Sequence, residues 1–298
     1  MRLVKYVIEQ DFPTHIDAFV ENVCEYILLN DEREPSARRQ TVSHIRHFAR
    51  WCKAQDITDI REVRREHVES FVCSATVVGG KPRRPGLSTE RNRLAGVRSG
   101  MRASRAIGYE LPDPTIDIKI LIDRTVDACI CTDADIEKMR AATPEELFDS
   151  SYGALLALAE AGASNGEIRE VKVSDVNLEE GLVRLPGNAR VDARINPMTD
   201  WGLEALRARL ARLAPDDFVV WNFYGSRPSE ATISQMFRQI AAYGAVGRRG
   251  YSINSVRGWR AHAIYMETGR IQDAAVFLGS RSLDSTVAMI GLEWRHTA

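Results

Sequence analysis

Ala161-Gly162-Ala163-Ser164-Asn165-Gly166-Glu167-Ile168 is the stretch on which the reading of this chain turns. It follows an apolar segment carrying Leu155, Leu156 and Leu158, and it precedes Val171-Lys172-Val173-Ser174-Asp175-Val176. An apolar run, a small-residue turn, polar residues and then a β-branched alternation predict helix, turn, short helix and strand in that order.

On either side of this stretch a mixed domain takes shape. Thr132 is placed to cap a helix beginning Asp133-Ala134-Asp135-Ile136, and a helix is expected over 151–161. Gly181-Leu182-Val183-Arg184-Leu185 and the segment around Arg194-Ile195-Asn196 read as strands about the turn Pro186-Gly187-Asn188. A helix at 199–213, a short strand at Phe218-Val219-Val220-Trp221, and helices at 229–243, 255–268 and 270–278 complete the expected order. Upstream, apolar positions at helical spacing (Ile16, Phe19, Val20, Val23, Tyr26, Ile27) predict a first helix, and Pro35-Ser36-Ala37 starts a second. Asp59 and Arg64-Arg65-Glu66 flank a third, Gly79 to Gly86 reads as a loop, and Ser88 or Thr89 caps a fourth helix with Leu94, Val97 and Met101 inside it. The expected fold class is α+β: a helical domain over 1–110, a linker over 111–130 centred on Leu111-Pro112-Asp113-Pro114, and a mixed α/β domain over 131–298.

The net charge of -1 conceals an asymmetry. Between Arg33 and Arg105 there are 17 Lys/Arg against 7 Asp/Glu, a local charge of +10 that leaves -11 elsewhere. Such a region attracts a phosphate backbone by releasing counterions, although arginines also serve as solvated helix formers. No apolar run reaches the ~18 residues that span a bilayer, and the N-terminus lacks a signal-peptide core, which places the protein in the cytoplasm. The five cysteines are scattered, with no partner spacing for a zinc site, and read as reduced structural thiols. No cofactor or metal is expected.

The order of these landmarks resembles the tyrosine recombinases and phage integrases. Their first catalytic box runs T-G-x-R-x-S-E-(L/I) before a strand, in register with Ala161–Ile168. The stretches PSARRQTVSHIRHFARWCKAQDITDIREV (35–63) and LSTERNRLAGVRSGMRASRAIGYELPDP (87–114) are similar to that family's SAM-like, all-α core-binding domain. Asn254-Ser255-Val256-Arg257-Gly258 stands where the family has H-x-L-R-H, Leu278-Gly279-Ser280 where it has L-G-H, and Ser285-Thr286-Val287-Ala288-Met289 where it has T-T-x-x-Y. In the family a tyrosine attacks the scissile phosphate, while arginines, a lysine and His or Trp side chains balance charge and move protons. Against that pattern Ser164 replaces an arginine, Asn254 and Ser280 replace histidines, and Met289 replaces the nucleophile; only Arg257 is clearly kept, and Arg190 is the cation nearest the lysine's place.

The resemblance therefore implies a DNA-binding protein that is not an enzyme, gripping duplex DNA between its two domains. Contacts are expected from Arg38, Arg39, Thr41, Ser43, Arg46, Arg83, Arg84, Arg91, Arg93 and Arg98 in the first domain. In the second they are expected from Arg190, Arg194, Arg248, Arg249, Asn254, Arg257, Arg260 and Arg281. Arginine pairs bidentately with phosphate and with guanine edges. Only nine residues follow Met289, so a monomer on an operator-like site is expected rather than a tetrameric synapse; Trp294 is expected to fold back on its own domain. A transcriptional repressor of the kind that maintains phage lysogeny heads the functional readings. Two others stay open: a non-catalytic partner of an active recombinase, and a recombinase with rearranged groups drawing on Tyr243, Tyr251, Tyr265, Ser285 or Thr286.

Overall fold

Helix α1 (Ile16–Asn30) runs antiparallel along α2 (Pro35–Lys53), and both turn their apolar stripes inward because those residues recur every three to four positions. The computed structural model describes residues 12–120, 129–143 and 151–292. Contacts divide the chain into two compact units, Met1–Arg124 and Thr125–Ala298. Unit one is completed by α3 (Arg65–Cys73) and α4 (Leu87–Ile107), which close over Phe19, Val23, Ile45, Phe48, Phe71, Leu94 and Met101. Fully burying one such side chain stabilises by about 1.5–3 kcal/mol. Small residues set the α2–α4 spacing: a Cβ on Gly96 would lie 2.5 Å from His44 Cβ, and one on Gly100 would lie 3.4 Å from Ile45.

Two local expectations change in this unit. The segment read as a loop pairs into a hairpin, β1 (Thr76–Val78) with β2 (Lys81–Arg83), turned by Gly79 and Gly80 at positive φ. Neither Ser88 nor Thr89 caps α4; Gly86 holds the N-cap, and its carbonyl accepts from the amides of Thr89 and Glu90. The first part of the segment expected as linker packs on this unit, where Ile118 is buried and Arg98 donates to the Ile118 carbonyl at 2.6 Å. Residues 121–128 lie outside the described residues.

Unit two is built around α6 (Ser151–Glu160), in which Leu155, Leu156 and Leu158 have no exposure. Thr132 caps α5 (Asp133–Ala141) by accepting from the Asp135 amide. After α6 come α7 (Asn165–Ile168) and a three-stranded antiparallel sheet, β3 (Val176–Asn177), β4 (Leu182–Leu185) and β5 (Arg194–Pro197). Val183 and Leu185 point inward from β4 while Arg184 points out, the period-two alternation of a half-buried strand. Helices α8 (Asp200–Leu210), α9 (Glu230–Tyr243), α10 (Ile253–Thr268), α11 (Ile271–Leu278) and α12 (Leu283–Ile290) follow. Phe218–Trp221 does not form the expected strand. Its backbone bridges to Lys172 and bonds from the Val219 amide to Val171, and otherwise meets side chains: the Val219 carbonyl accepts from Arg209 and the Trp221 amide donates to Ser151. Trp294 lies outside the described residues. No helix among the described residues is long and apolar enough to cross a membrane.

Candidate functional site

The Ala161–Ile168 stretch ends α6 in a left-handed turn at Gly162, whose φ is +90°. A Cβ there would sit 2.9 Å from the Phe277 ring, so the turn needs glycine for both conformation and space. Ser164 then starts α7. Its hydroxyl and its amide both donate to Glu167 Oε2, at 2.8 and 2.9 Å. This is the carboxylate half of a capping box, legible in the Ser164-x-x-Glu167 spacing.

Glu167 has no exposure, and its charge is met by Arg194, whose Nη1 lies 2.6 Å from Oε1. Arg194 also donates from Nη2 to the Gly162 carbonyl and from Nε to the Phe277 carbonyl, both at 2.7 Å. Arg257, on α10, meets the same turn: Nε donates to the Gly162 carbonyl at 2.8 Å, Nη2 to Leu278 at 3.2 Å, and Nη1 to Asn254 Oδ1 at 2.8 Å. Asn196 on β5 donates to the carbonyls of Ala161 and Phe277, each at 2.8 Å. The turn, the sheet edge and the end of α11 are thus joined through backbone carbonyls. Burial lowers the Arg257 pKa to about 10, with nearby Glu167 opposing the shift and Arg194 adding to it. Two guanidinium groups thus meet one carboxylate, an excess of positive charge beneath the surface.

Around this buried group lies a polar surface. Asn254 is exposed, Ser280 half-buried, and the Ser280 and Ser285 hydroxyls are 2.9 Å apart. Met289 lies half-buried on α12, and its carbonyl would be 2.6 Å from a Cβ on Gly258, so glycine lets α12 cross α10 one residue from Arg257. The turn after β4 is stitched to the α11–α12 connection by a Val191–Ser280 bridge, by Asp192 N to Gly279 O at 2.9 Å, and by Arg281 Nε to Asp192 at 2.8 Å. Asn165 reaches Ser234 on α9 at 2.7 Å, bringing a polar face of α9 beside α7 that the sequence analysis did not single out.

Several residues expected to contact DNA are turned inward. Arg257 is 4% exposed and the Arg194 side chain 6%. Arg93 is 3% exposed and caps the end of α3 by donating to the carbonyls of Phe71, Val72 and Ser74. Thr41 is buried, its hydroxyl returned to the Ala37 carbonyl, and Arg38 donates to the Leu28 carbonyl. Each of these side chains gives its donors to backbone carbonyls of its own unit. Arg98 is exposed but its Nη2 is held by the α4-following segment. Arg39, Ser43, Arg46, Arg83, Arg84, Arg91, Arg190 and Arg248 are exposed. Arg249 and Arg281 are exposed and paired with Asp135 and Asp192. Arg260 is half-buried beside a cavity of about 350 Å³ lined by Arg140, Thr199 and Trp201. Among the described residues no group of three His, Cys, Asp or Glu side chains could hold a metal ion.

No family model and no curated protein matches the sequence. Solved structures do match. A lambda integrase dimer bound to a COC' core site superposes with a TM-score of 0.71 at 12% identity, over 95% of this chain and 79% of that one. The fold is that of the tyrosine recombinases. The Tn1549 transposon integrase in complex with a circular intermediate DNA gives 0.65 at 12% identity, over 91% and 94% of the two chains. The XerH site-specific recombinase bound to a palindromic difH substrate gives 0.63 at 13% identity, over 92% and 90%. These neighbours correct the expectation that the chain is not an enzyme. Recombinases and integrases are enzymes, and this chain shares their fold over more than nine-tenths of its length.

Proposed function

We propose that this protein binds duplex DNA at specific sites and represses transcription from them, in the manner of a repressor that maintains lysogeny. The observation that carries the reading is the buried pair Arg194 and Arg257 around a single carboxylate, opening through Asn254 and Ser280 onto a polar surface with Arg281 and Arg190 near it. Excess positive charge beneath hydroxyl and amide donors suits one backbone phosphate, and exposed Arg39, Ser43 and Arg46 on α2 suit others. Solved relatives of the fold hold DNA in their crystals, in agreement with this reading. The protein is proposed to act as a monomer, in the host cytoplasm, without a cofactor.

Mobility-shift titration of promoter fragments from the protein's own locus tests the proposal at about 150 mM salt, where non-specific attachment is weak. Tighter binding of one fragment than of random DNA is expected; equal binding throughout would refute site-specific repression. A second reading, strand cleavage through rearranged groups, draws on the Ser280–Ser285 hydroxyl pair beside the α11 end that holds Arg257. Incubation with a nicked duplex of the bound site separates the two, since cleavage through a side chain leaves a covalent protein–DNA adduct. A third role, as companion to an active recombinase, predicts binding that strengthens when that recombinase is added.

A further inference from the structure

Phe223 and Tyr224 are 97% and 87% exposed, although each is a large apolar ring. Two adjacent aromatics kept in water on one turn mark a contact surface, since isolated exposed apolar residues are ordinary and paired rings are not. The turn that holds them is tightly built. Asn222 Oδ1 accepts from the Tyr224 amide at 2.9 Å and the Ser226 amide at 3.0 Å. The Asn222 amide donates to the Ser226 carbonyl at 2.8 Å, and Gly225 takes a φ of +71° to close the loop. The two rings stand edge to face, 5.6 Å between centroids at 85°. Their backbone is thus fixed before any partner arrives, so little ordering is left for binding to supply.

The base of the loop is tied to the site already described. Arg227 pairs with Glu170, directly after α7, and a Cβ on Gly166 in α7 would come 3.4 Å from Glu230 at the start of α9. From Trp221 to Ser229 the segment contains no acidic residue. We infer that Phe223 and Tyr224 form an aromatic wedge that enters a base step of the bound duplex, unstacking and bending it. Apolar and aromatic side chains inserted between base pairs kink DNA, and the flexible pyrimidine–purine steps yield most readily. The wedge rests on the DNA-binding reading and adds to it a means of choosing sites by deformability.

The test uses the full chain and duplexes it retains from a random-sequence library, labelled with 2-aminopurine at successive positions. Binding is expected to raise fluorescence at one step only, as that base loses its neighbour. In the double variant Phe223→Ala, Tyr224→Ala the rise should vanish and affinity should fall about tenfold, the scale of losing one base–aromatic stack. The melting temperature should not move, because neither ring packs in the core. Fluorescence unchanged on binding, or an identical rise and affinity in the variant, would overturn the wedge while leaving DNA binding intact. Failure of the unaltered chain to retain any duplex would instead remove the DNA-binding reading and the wedge with it. A protein partner lost by the variant at unchanged DNA affinity would reassign the rings to protein docking.

Discussion

Ser164 stands where the resemblance expects an arginine, yet its hydroxyl is committed to Glu167. Glu167 in turn neutralises Arg194 at zero exposure. A buried carboxylate left without its partner is costly, so Arg194→Met should destabilise unit two by about 3–5 kcal/mol. Urea denaturation measures it, and a smaller loss in the double variant Arg194→Met, Glu167→Gln would show that the unpaired charge is the cause. Tyr251 makes a separate residue-scale prediction. Burial, together with its hydrogen bond to Asp135, raises its pKa to about 12, against about 10 for a tyrosine in an unfolded chain. The folded state therefore keeps a proton that the unfolded state releases. This contribution to stability is complete below pH ~10 and is lost as pH rises toward the folded value. Denaturation midpoints across that range should fall, and fall less steeply in Tyr251→Phe.

Two helix crossings depend on missing side chains. Gly96 lets α4 meet α2 at His44, and Gly258 lets α10 meet α12 at the Met289 carbonyl. Gly96→Ala and Gly258→Ala should each destabilise by about 1–3 kcal/mol, the range for overpacking a well-fitted contact. Thermal melts compare them with Gly86→Ser, at an N-cap that serine suits, where a Cβ meets nothing within 4 Å and φ is ordinary and negative. Equal melting temperatures for all three would refute the crossing argument. Element identity was largely legible in the sequence because helices such as α1, α2 and α9 carry a buried stripe at helical period, while α6 is a continuous apolar run. The weaker expectations failed where tertiary contacts chose the conformation. Phe218–Trp221 has strand composition, yet its Val219 and Val220 fill the core without joining the ladder. Gly79 to Gly86 looked like loop because its breakers hid the short pairing of Thr76–Val78 with Lys81–Arg83.

Across the whole molecule, charge rather than fold sets the expected encounter with DNA. The +10 region between Arg33 and Arg105 keeps Arg39 and Arg46 exposed on α2. Arg39→Ala and Arg46→Ala should each weaken binding evenly across sequences and lower the slope of log K against log salt by about one. A change confined to one sequence would mean that these side chains read bases instead. The amino-acid sequence by itself determined the order of elements, the basic first unit and the positions matching the recombinase boxes, because periodicity, charge and motif spacing are local properties. Only the tertiary structure decided which arginines are available. Arg93, Arg194 and Arg257 are as cationic in the sequence as Arg39 or Arg248, but folding brings them against backbone carbonyls distant along the chain, and burial there requires those bonds.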